Sequence, residues 1–167
     1  ILAAFLLISS SVYAEGFGEN TQIKTPNGVV NIEEIVIGDE VLACNWDKQC
    51  VPAKVLKLHQ KTSSTKVIEM EDGTKIVCAL SQKFMIDGQW VLASTLSKGD
   101  FIDDVEIIGT NFGDPTTLYT FEVDIYHNYY AENFLVHNPY GLGNGPYSSH
   151  YAAPETNTGT AEAIQKY

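Results

Sequence analysis

LYTFEVDIYHNYYAENFLVHN, residues 118–138, is the stretch around which the rest of the chain is arranged. Its first half alternates apolar with polar residues as far as Ile125, and this period of two predicts a half-buried β-strand. Residues 131–133 have turn composition, and Phe134-Leu135-Val136 then resumes as a second strand. The two strands together predict a β-hairpin.

The second strand leads to a pair of residues that suggests a chemistry. His137 and Asn138 stand directly before Pro139, and His127 lies ten residues upstream of His137, on the predicted partner strand. An asparagine amide can attack its own backbone carbonyl, which forms a succinimide and breaks the following peptide bond. Histidine is suited to polarising the carbonyl and moving protons near neutral pH.

Asn138 is thus a candidate nucleophile, His137 a donor to the oxyanion, and His127 an acid/base that helps the leaving nitrogen depart. The alternative is that these side chains only satisfy backbone groups at the end of a strand.

The composition excludes several function classes. The net charge is −11, and all ten basic residues are lysines. An acidic surface without arginine argues against a nucleic-acid partner and against bidentate phosphate recognition. The chain has no Ser-His-Asp or Cys-His arrangement, no metal-ligand cluster and no phosphate loop, so the sequence predicts no metal and no cofactor.

Residues 1–14, ILAAFLLISSSVYA, resemble the apolar core and cleavage site of a secretory signal peptide. The apolar run is too short to span a membrane. We predict cleavage after Ala14, a secreted, periplasmic or extracellular location, and no membrane span in the mature chain. Because the initiator methionine and a basic region are missing, we expect the start to be truncated. The alternative is a buried N-terminal strand or helix.

Cys44 and Cys50 flank a five-residue loop between two strand-like segments. A loop of this length places the cysteines opposite each other across a hairpin, so we predict a disulfide in an oxidising compartment. The alternative, a metal site, lacks nearby histidines. Cys78, in an apolar stretch, is expected to be a small core residue.

Short strands separated by turns predict an all-β domain. Two strand candidates, 54–59 and 66–70, are separated by the polar residues 61–64. Helical periodicity is limited to single turns at 32–35 and 92–96.

An internal repeat relates residues 27–41 to residues 87–101. Each copy has a turn, a short strand, a single helical turn, and then Gly-Asp leading into another strand. Turn residues are common enough for a chance similarity, but the order of elements agrees as well. The repeat predicts a pseudo-two-fold β-domain in which each half completes the core of the other.

A series of short motifs follows in order along the chain: GFGENTQI (16–23), TPNG (25–28), IEEIVIGD (32–39), CALSQKF (78–84), GQW (88–90), GD (99–100), LYTFEVDIYH (118–127) and VHN (136–138). In these motifs the chain resembles the Hint domains, which are shared by inteins, bacterial intein-like domains and the autoprocessing part of hedgehog proteins. The resemblance implies a horseshoe-like all-β fold whose two chain ends meet in one active site.

The resemblance also implies a reaction, several steps of which this chain has lost. In complete members a first-position Cys or Ser takes the upstream acyl group, assisted by a Thr and a His, and the C-terminal Asn then cyclises. Here Gly16 replaces the first nucleophile, and Ala79 and Gln82 replace the assisting Thr and His. Pro139 replaces the residue that accepts the upstream segment in splicing members, and Thr120 stands where many members have an acid or asparagine. The resemblance therefore implies a domain that cannot splice.

We predict three regions: a signal peptide (1–14), a Hint domain (15–138), and a Gly/Pro-rich linker with a flexible tail (139–167). The predicted function is single-turnover self-cleavage of the Asn138–Pro139 bond by a monomer acting on its own polypeptide. The alternative is an inactive Hint remnant that serves as a secreted β-scaffold or interaction module.

Overall fold

The computed structural model describes residues 15–45 and 47–138. The predicted signal peptide with its cleavage site, and the predicted tail that begins at Pro139, lie outside these residues. Within the described part, no helix has the length and apolar character needed to cross a membrane. The same residues contain no group of three or more His, Cys, Asp or Glu side chains that could hold a metal ion.

Most of the described chain is β-strand, which confirms the all-β prediction. Two 3₁₀ turns cover Ile32–Glu34 and Ala93–Thr95, at the two places where single helical turns were expected. The strands are β1 (Gln22–Thr25), β2 (Gly28–Asn31), β3 (Glu40–Cys44), β4 (Cys50–Met70), β5 (Lys75–Ala79), β6 (Lys83–Ile86), β7 (Gln89–Leu92), β8 (Phe101–Ile102), β9 (Val105–Val123), β10 (Asn128–Ala131) and β11 (Phe134–His137).

These strands form two antiparallel sheets. One sheet has the order β2-β1-β10-β11-β6-β7, and the other has the order β3-β4-β9-β8, with β5 also paired to β4. β2 and β7 lie in the two copies of the repeat, and each forms a hairpin with the strand just before its copy, β1 or β6. These two hairpins flank β10 and β11, so the hairpin that ends at the candidate site lies in the middle of its sheet.

The structure confirms the internal repeat, and the two copies share a corresponding hydrogen bond. In the first copy Oδ2 of Asp39 accepts the backbone N–H of Val36 at 2.9 Å, and in the second Oδ2 of Asp100 accepts that of Ser97 at 2.7 Å. The glycine before each aspartate has a positive φ, 96° in one copy and 93° in the other. Only glycine adopts such a φ without strain, which explains why both copies carry Gly-Asp.

The predicted break between residues 54–59 and 66–70 is wrong, because β4 runs through it as one strand. Residues 61–63 pair in antiparallel register with residues 116–118 of β9. Their polar composition indicated a loop, but threonine and lysine suit an exposed two-stranded ribbon whose partner strand satisfies the backbone.

The predicted partner of the last strand is also wrong. β11 pairs with β10, whereas the alternating strand before it is the end of β9 and pairs with β4 in the other sheet. The chain bends between β9 and β10, with positive φ at Ile125 (63°) and His127 (51°). His127 therefore lies just before the partner strand. The hairpin turn is Glu132-Asn133, where φ values of 50° and 67° match the two left-handed positions of a type I′ turn.

Aromatic side chains at the centre of the core connect the N-terminal segment to both sheets. The fully buried ring of Phe17 packs edge-on against Phe84 and Tyr129, with centroid distances of 6.1 Å and 6.5 Å. Tyr129 in turn lies 4.2 Å from the ring of Phe121 on β9. Burial of Phe17 anchors the residue before it, Gly16, in the interior.

Candidate active site

The N-terminal segment enters the domain as a short extended stretch between β5 and β9. The backbone of Phe17 exchanges hydrogen bonds with Tyr119 at 2.9 Å and 2.8 Å. The backbone N–H of Ala79 donates to the carbonyl of Gly16 at 2.9 Å. Strand pairing on both sides therefore holds the start of the described chain in the middle of the fold.

The C-terminal residues meet His127 at the open end of the β10–β11 hairpin. Asn128 and His137 are partners in the antiparallel register, so the next residues along each strand, His127 and Asn138, face each other. The backbone N–H of Asn138 donates to the carbonyl of His127 at 3.1 Å. The structure thus brings all three candidate residues, His127, His137 and Asn138, to one place.

Gln82 connects the two ends of the described chain. Its Oε1 accepts the backbone N–H of Gly16 at 2.8 Å, and its Nε2 donates to the carbonyl of His137 at 3.0 Å. The side chain is completely buried. An amide has both a donor and an acceptor at its tip, so it can satisfy an N–H and a carbonyl together. Gln82, which stands at the position of the family's histidine, therefore links the chain ends.

Gly16 leaves no space for a side chain. Its φ is +138°, and a Cβ built there would lie 2.8 Å from the carbonyl oxygen of Tyr119. Real Cβ atoms essentially never approach so closely, and the obstructing atom is backbone in a paired strand. The surroundings of position 16 therefore fit glycine and exclude the cysteine or serine of complete Hint domains.

The two remaining degenerate positions are also buried. Ala79 ends β5 and contributes only its backbone N–H to Gly16. Thr120 lies on β9 and is 7% exposed. Neither side chain carries a titratable group.

The side-chain amide of Asn138 is buried, and neither its nitrogen nor its oxygen has a hydrogen-bond partner among the described residues. A buried polar group without a partner costs about 1–3 kcal/mol. Buried groups of this kind are rare, and a catalytic role is one of the reasons why they persist. The Asn138 side chain therefore stands out as unsatisfied in a site where its backbone N–H is hydrogen-bonded.

The pKa of His127 is lowered from its usual value of 6.5, mainly because burial disfavours the charged ring. The neighbouring His137 lowers it further, and Glu122 acts in the opposite direction. His127 is therefore neutral at neutral pH and able to accept a proton.

Sequence reasoning missed Glu15, which is buried at the site. Its Oε2 lies 3.3 Å from Nδ1 of His137, and its Oε1 lies 3.5 Å from Nζ of Lys83. The ring of Trp90 packs edge-on against that of His137, with centroids 5.2 Å apart. No periodic pattern or motif includes Glu15; only its position directly before Gly16 placed it near the chain ends.

Asn128 is a second residue that sequence reasoning missed. Cys44 and Cys50 are register partners joined by a disulfide, with their Cα atoms 4.0 Å apart. Oδ1 of Asn128 accepts the backbone N–H of Cys44, and its Nδ2 donates to the Cys44 carbonyl, both at 2.9 Å. These two hydrogen bonds connect Asn128, the residue that follows His127, to the hairpin that contains the disulfide.

A β-domain whose ends meet at a buried asparagine and two histidines defines an intein-like, or Hint, domain. The gp41-1 intein is 26% identical, with a TM-score of 0.64 over 75% of this chain and 99% of that chain. The bacterial intein-like domain from Clostridium thermocellum is 25% identical, with a TM-score of 0.67 over 75% and 99%. The Ssp DnaB mini-intein variant M86, at 15% identity, shares the fold, with a TM-score of 0.68 over 77% and 96%.

At the sequence level, the model of the pretoxin HINT domain matches residues 22–139. The chain belongs to this family. No curated protein matches it.

Proposed function

We propose that this domain cleaves its own Asn138–Pro139 bond once, by asparagine cyclisation, and does not splice. The observation that carries the proposal is the Asn138 side chain, buried without a hydrogen-bond partner among the described residues while its backbone N–H is fixed to His127. A nucleophile held near its target in a buried site gains from proximity and from exclusion of water.

The proposed step balances as follows. Nδ2 of Asn138 attacks the backbone carbonyl carbon of the same residue, forming the N–C bond of a succinimide. The C–N bond to Pro139 breaks, and one proton moves from Nδ2 to the leaving nitrogen. His127, neutral because of its lowered pKa, accepts this proton and delivers it to the proline nitrogen. His137 donates to the carbonyl oxygen as negative charge develops on it.

The inability to splice is supported by the environment of position 16. A glycine offers no nucleophile, and the backbone of Tyr119 occupies the space that a side chain would need. Proline after Asn138 has no hydroxyl or thiol to accept an upstream segment. Proline also lacks the N–H that would attack the asparagine side chain in the competing deamidation route.

A second candidate function is an inert, exported β-scaffold. It is favoured by the replacement of the assisting Thr and His by Ala79 and Gln82, because Gln82 now serves as a structural link between the chain ends. The self-cleavage proposal ranks first because the groups that asparagine cyclisation requires are present and adjacent.

Export is part of the proposal. The sequence of residues 1–14 supports a signal peptide, and the Cys44–Cys50 disulfide is typical of oxidising compartments. In this arrangement the domain would release the segment that begins at Pro139, consistent with the description of its family as pretoxin.

The test is a time course of the purified full chain at pH 6–8 over days, followed by intact mass spectrometry and N-terminal sequencing. We expect a fragment that begins at Pro139 to accumulate. Asn138→Ala should stay whole, and Asn111→Ala, which removes an exposed asparagine of β9, should cleave like the parent. A folded parent chain that remains uncut would leave the inert scaffold as the function.

A further inference from the structure

Glu15 is a buried carboxylate for which the cleavage scheme above has no role. Its side chain is 6% exposed, and that of His137 is 4% exposed. A buried carboxylate is unfavourable unless it is paired, and Glu15 has two partners: Nδ1 of His137 at 3.3 Å and Nζ of Lys83 at 3.5 Å. Glu15, which precedes Gly16, thus contacts His137, which precedes Asn138.

The contact determines where His137 carries a proton. An ionised carboxylate can only accept hydrogen bonds, so the ring nitrogen that faces it must be the donor. The proton of the neutral ring is then on Nδ1, and Nε2 can donate a hydrogen bond only when the ring carries a second proton. The same logic applies where a carboxylate orients a catalytic or metal-binding imidazole.

The ring is also fixed in orientation. Trp90 packs edge-on against it from β7, and Gln82 holds the carbonyl of the same residue. Three charged or titratable groups lie at this part of the site: Glu15 in contact with His137, Lys83 on β6 in contact with Glu15, and His127, which interacts electrostatically with His137. Among these three, Glu15 is the acceptor for the Nδ1 proton.

We propose that Glu15 is a positioning residue that accepts the Nδ1 proton of His137, so that Nε2 of the doubly protonated ring is the atom that donates to the Asn138 carbonyl oxygen. Its effect on cleavage rests on the proposed function, whereas its effect on the tautomer does not. In this proposal Glu15, at the N-terminal end of the domain, influences the reaction at the C-terminal end.

The tautomer is tested by NMR on the ¹⁵N-labelled full chain carrying Asn138→Ala, which keeps the chain intact. We expect His137 to carry its proton on Nδ1, and Glu15→Ala to shift the ring toward the Nε2–H form. Glu15→Gln should preserve the Nδ1 proton, because an amide oxygen also accepts it. A ring that carries its proton on Nε2 in the parent, or is unchanged by Glu15→Ala, would overturn the proposal.

Cleavage provides the second readout, in the chain with Asn138 intact. Glu15→Ala should slow it about 10- to 100-fold, in the range seen for partners that orient a histidine. Glu33→Ala is the control, because it removes another hydrogen-bonded glutamate, whose carboxylate accepts the backbone N–H of Asn20 and does not contact His137. Its rate should equal that of the parent.

The two failures are distinguishable. A parent chain that does not cleave contradicts the proposed function, and the NMR result alone then decides the role of Glu15. A parent that cleaves at the same rate as a folded Glu15→Ala variant contradicts the positioning role and leaves the proposed function standing.

Discussion

At the residue scale, the surroundings of Gly16 support the proposal that this domain does not splice. Position 16 differs from a cysteine by more than the absent thiol. The backbone of Gly16 has a positive φ, and the Tyr119 carbonyl oxygen occupies the space that a side chain would need. Restoring a cysteine would require this strand pairing to shift. The surroundings of position 16 therefore fit glycine.

The crowding at Gly16 can be measured against a second glycine. Gly28 has nearly the same φ, +132°, but a Cβ there would meet no atom within 4 Å. We expect Gly28→Ala to lower the free energy of unfolding by about 1–2 kcal/mol, the cost of the positive φ alone. Gly16→Ala should lose about 1–3 kcal/mol more, the cost of overpacking. Equal losses in urea unfolding would contradict the steric account.

His127 predicts the pH dependence of cleavage. In the proposed step its neutral form is the base, and its pKa is lowered below 6.5, so the part of the rate profile that His127 controls should be level at neutral pH and fall only as the pH drops well below 6.5. His137 and Glu122 are the groups that set this pKa besides burial. We measure single-turnover rates of the parent and of His127→Asn, since asparagine tolerates the left-handed φ of this position.

The single-turnover rate of His127→Asn should be lower by about 100-fold, and it should not fall further at acidic pH as the parental rate does. If His127→Asn cleaves at the parental rate with the same fall at acidic pH, another group is the base.

At the scale of elements, the sequence predicted the repeat, the two 3₁₀ turns and the turn at Glu132-Asn133 from local rules of period and turn chemistry. The strand that pairs with β11 could not be predicted, because positive φ at Ile125 and His127 redirects the chain without a glycine to signal it. Glu15 and Asn128 were missed for a related reason. Their partners lie 122 and 84 residues away, and no local pattern encodes such contacts.

The disulfide hairpin carries a prediction of its own. Cys50→Ser should lower the free energy of unfolding by about 2 kcal/mol, as expected for a small closed loop. Dithiothreitol should lower the stability of the parent by a similar amount in urea unfolding and leave the variant unchanged. Burial raises the pKa of Cys78 to about 12, so its thiol will not exchange with the disulfide while the protein is folded. A parent insensitive to reductant would contradict this role.

At the scale of the whole molecule, the two repeat halves place the β10–β11 hairpin between them and so bring the C-terminal asparagine beside the N-terminal strand. Gln82 and Glu15 join the two ends by direct contacts. The Hint architecture has therefore kept its convergent ends although the first nucleophile is gone. The proposed self-cleavage needs only the C-terminal end of this arrangement.

The measurement that tests this account most directly is the chemical identity of the new C-terminus at residue 138. The freshly released N-terminal fragment should carry a C-terminal succinimide, which intact mass spectrometry detects and hydroxylamine traps. The succinimide should later hydrolyse to asparagine or isoasparagine. Asn138→Ala should release neither the N-terminal fragment nor the fragment that begins at Pro139. A chain that stays whole, or a fragment first formed with a free asparagine carboxylate, would contradict asparagine cyclisation.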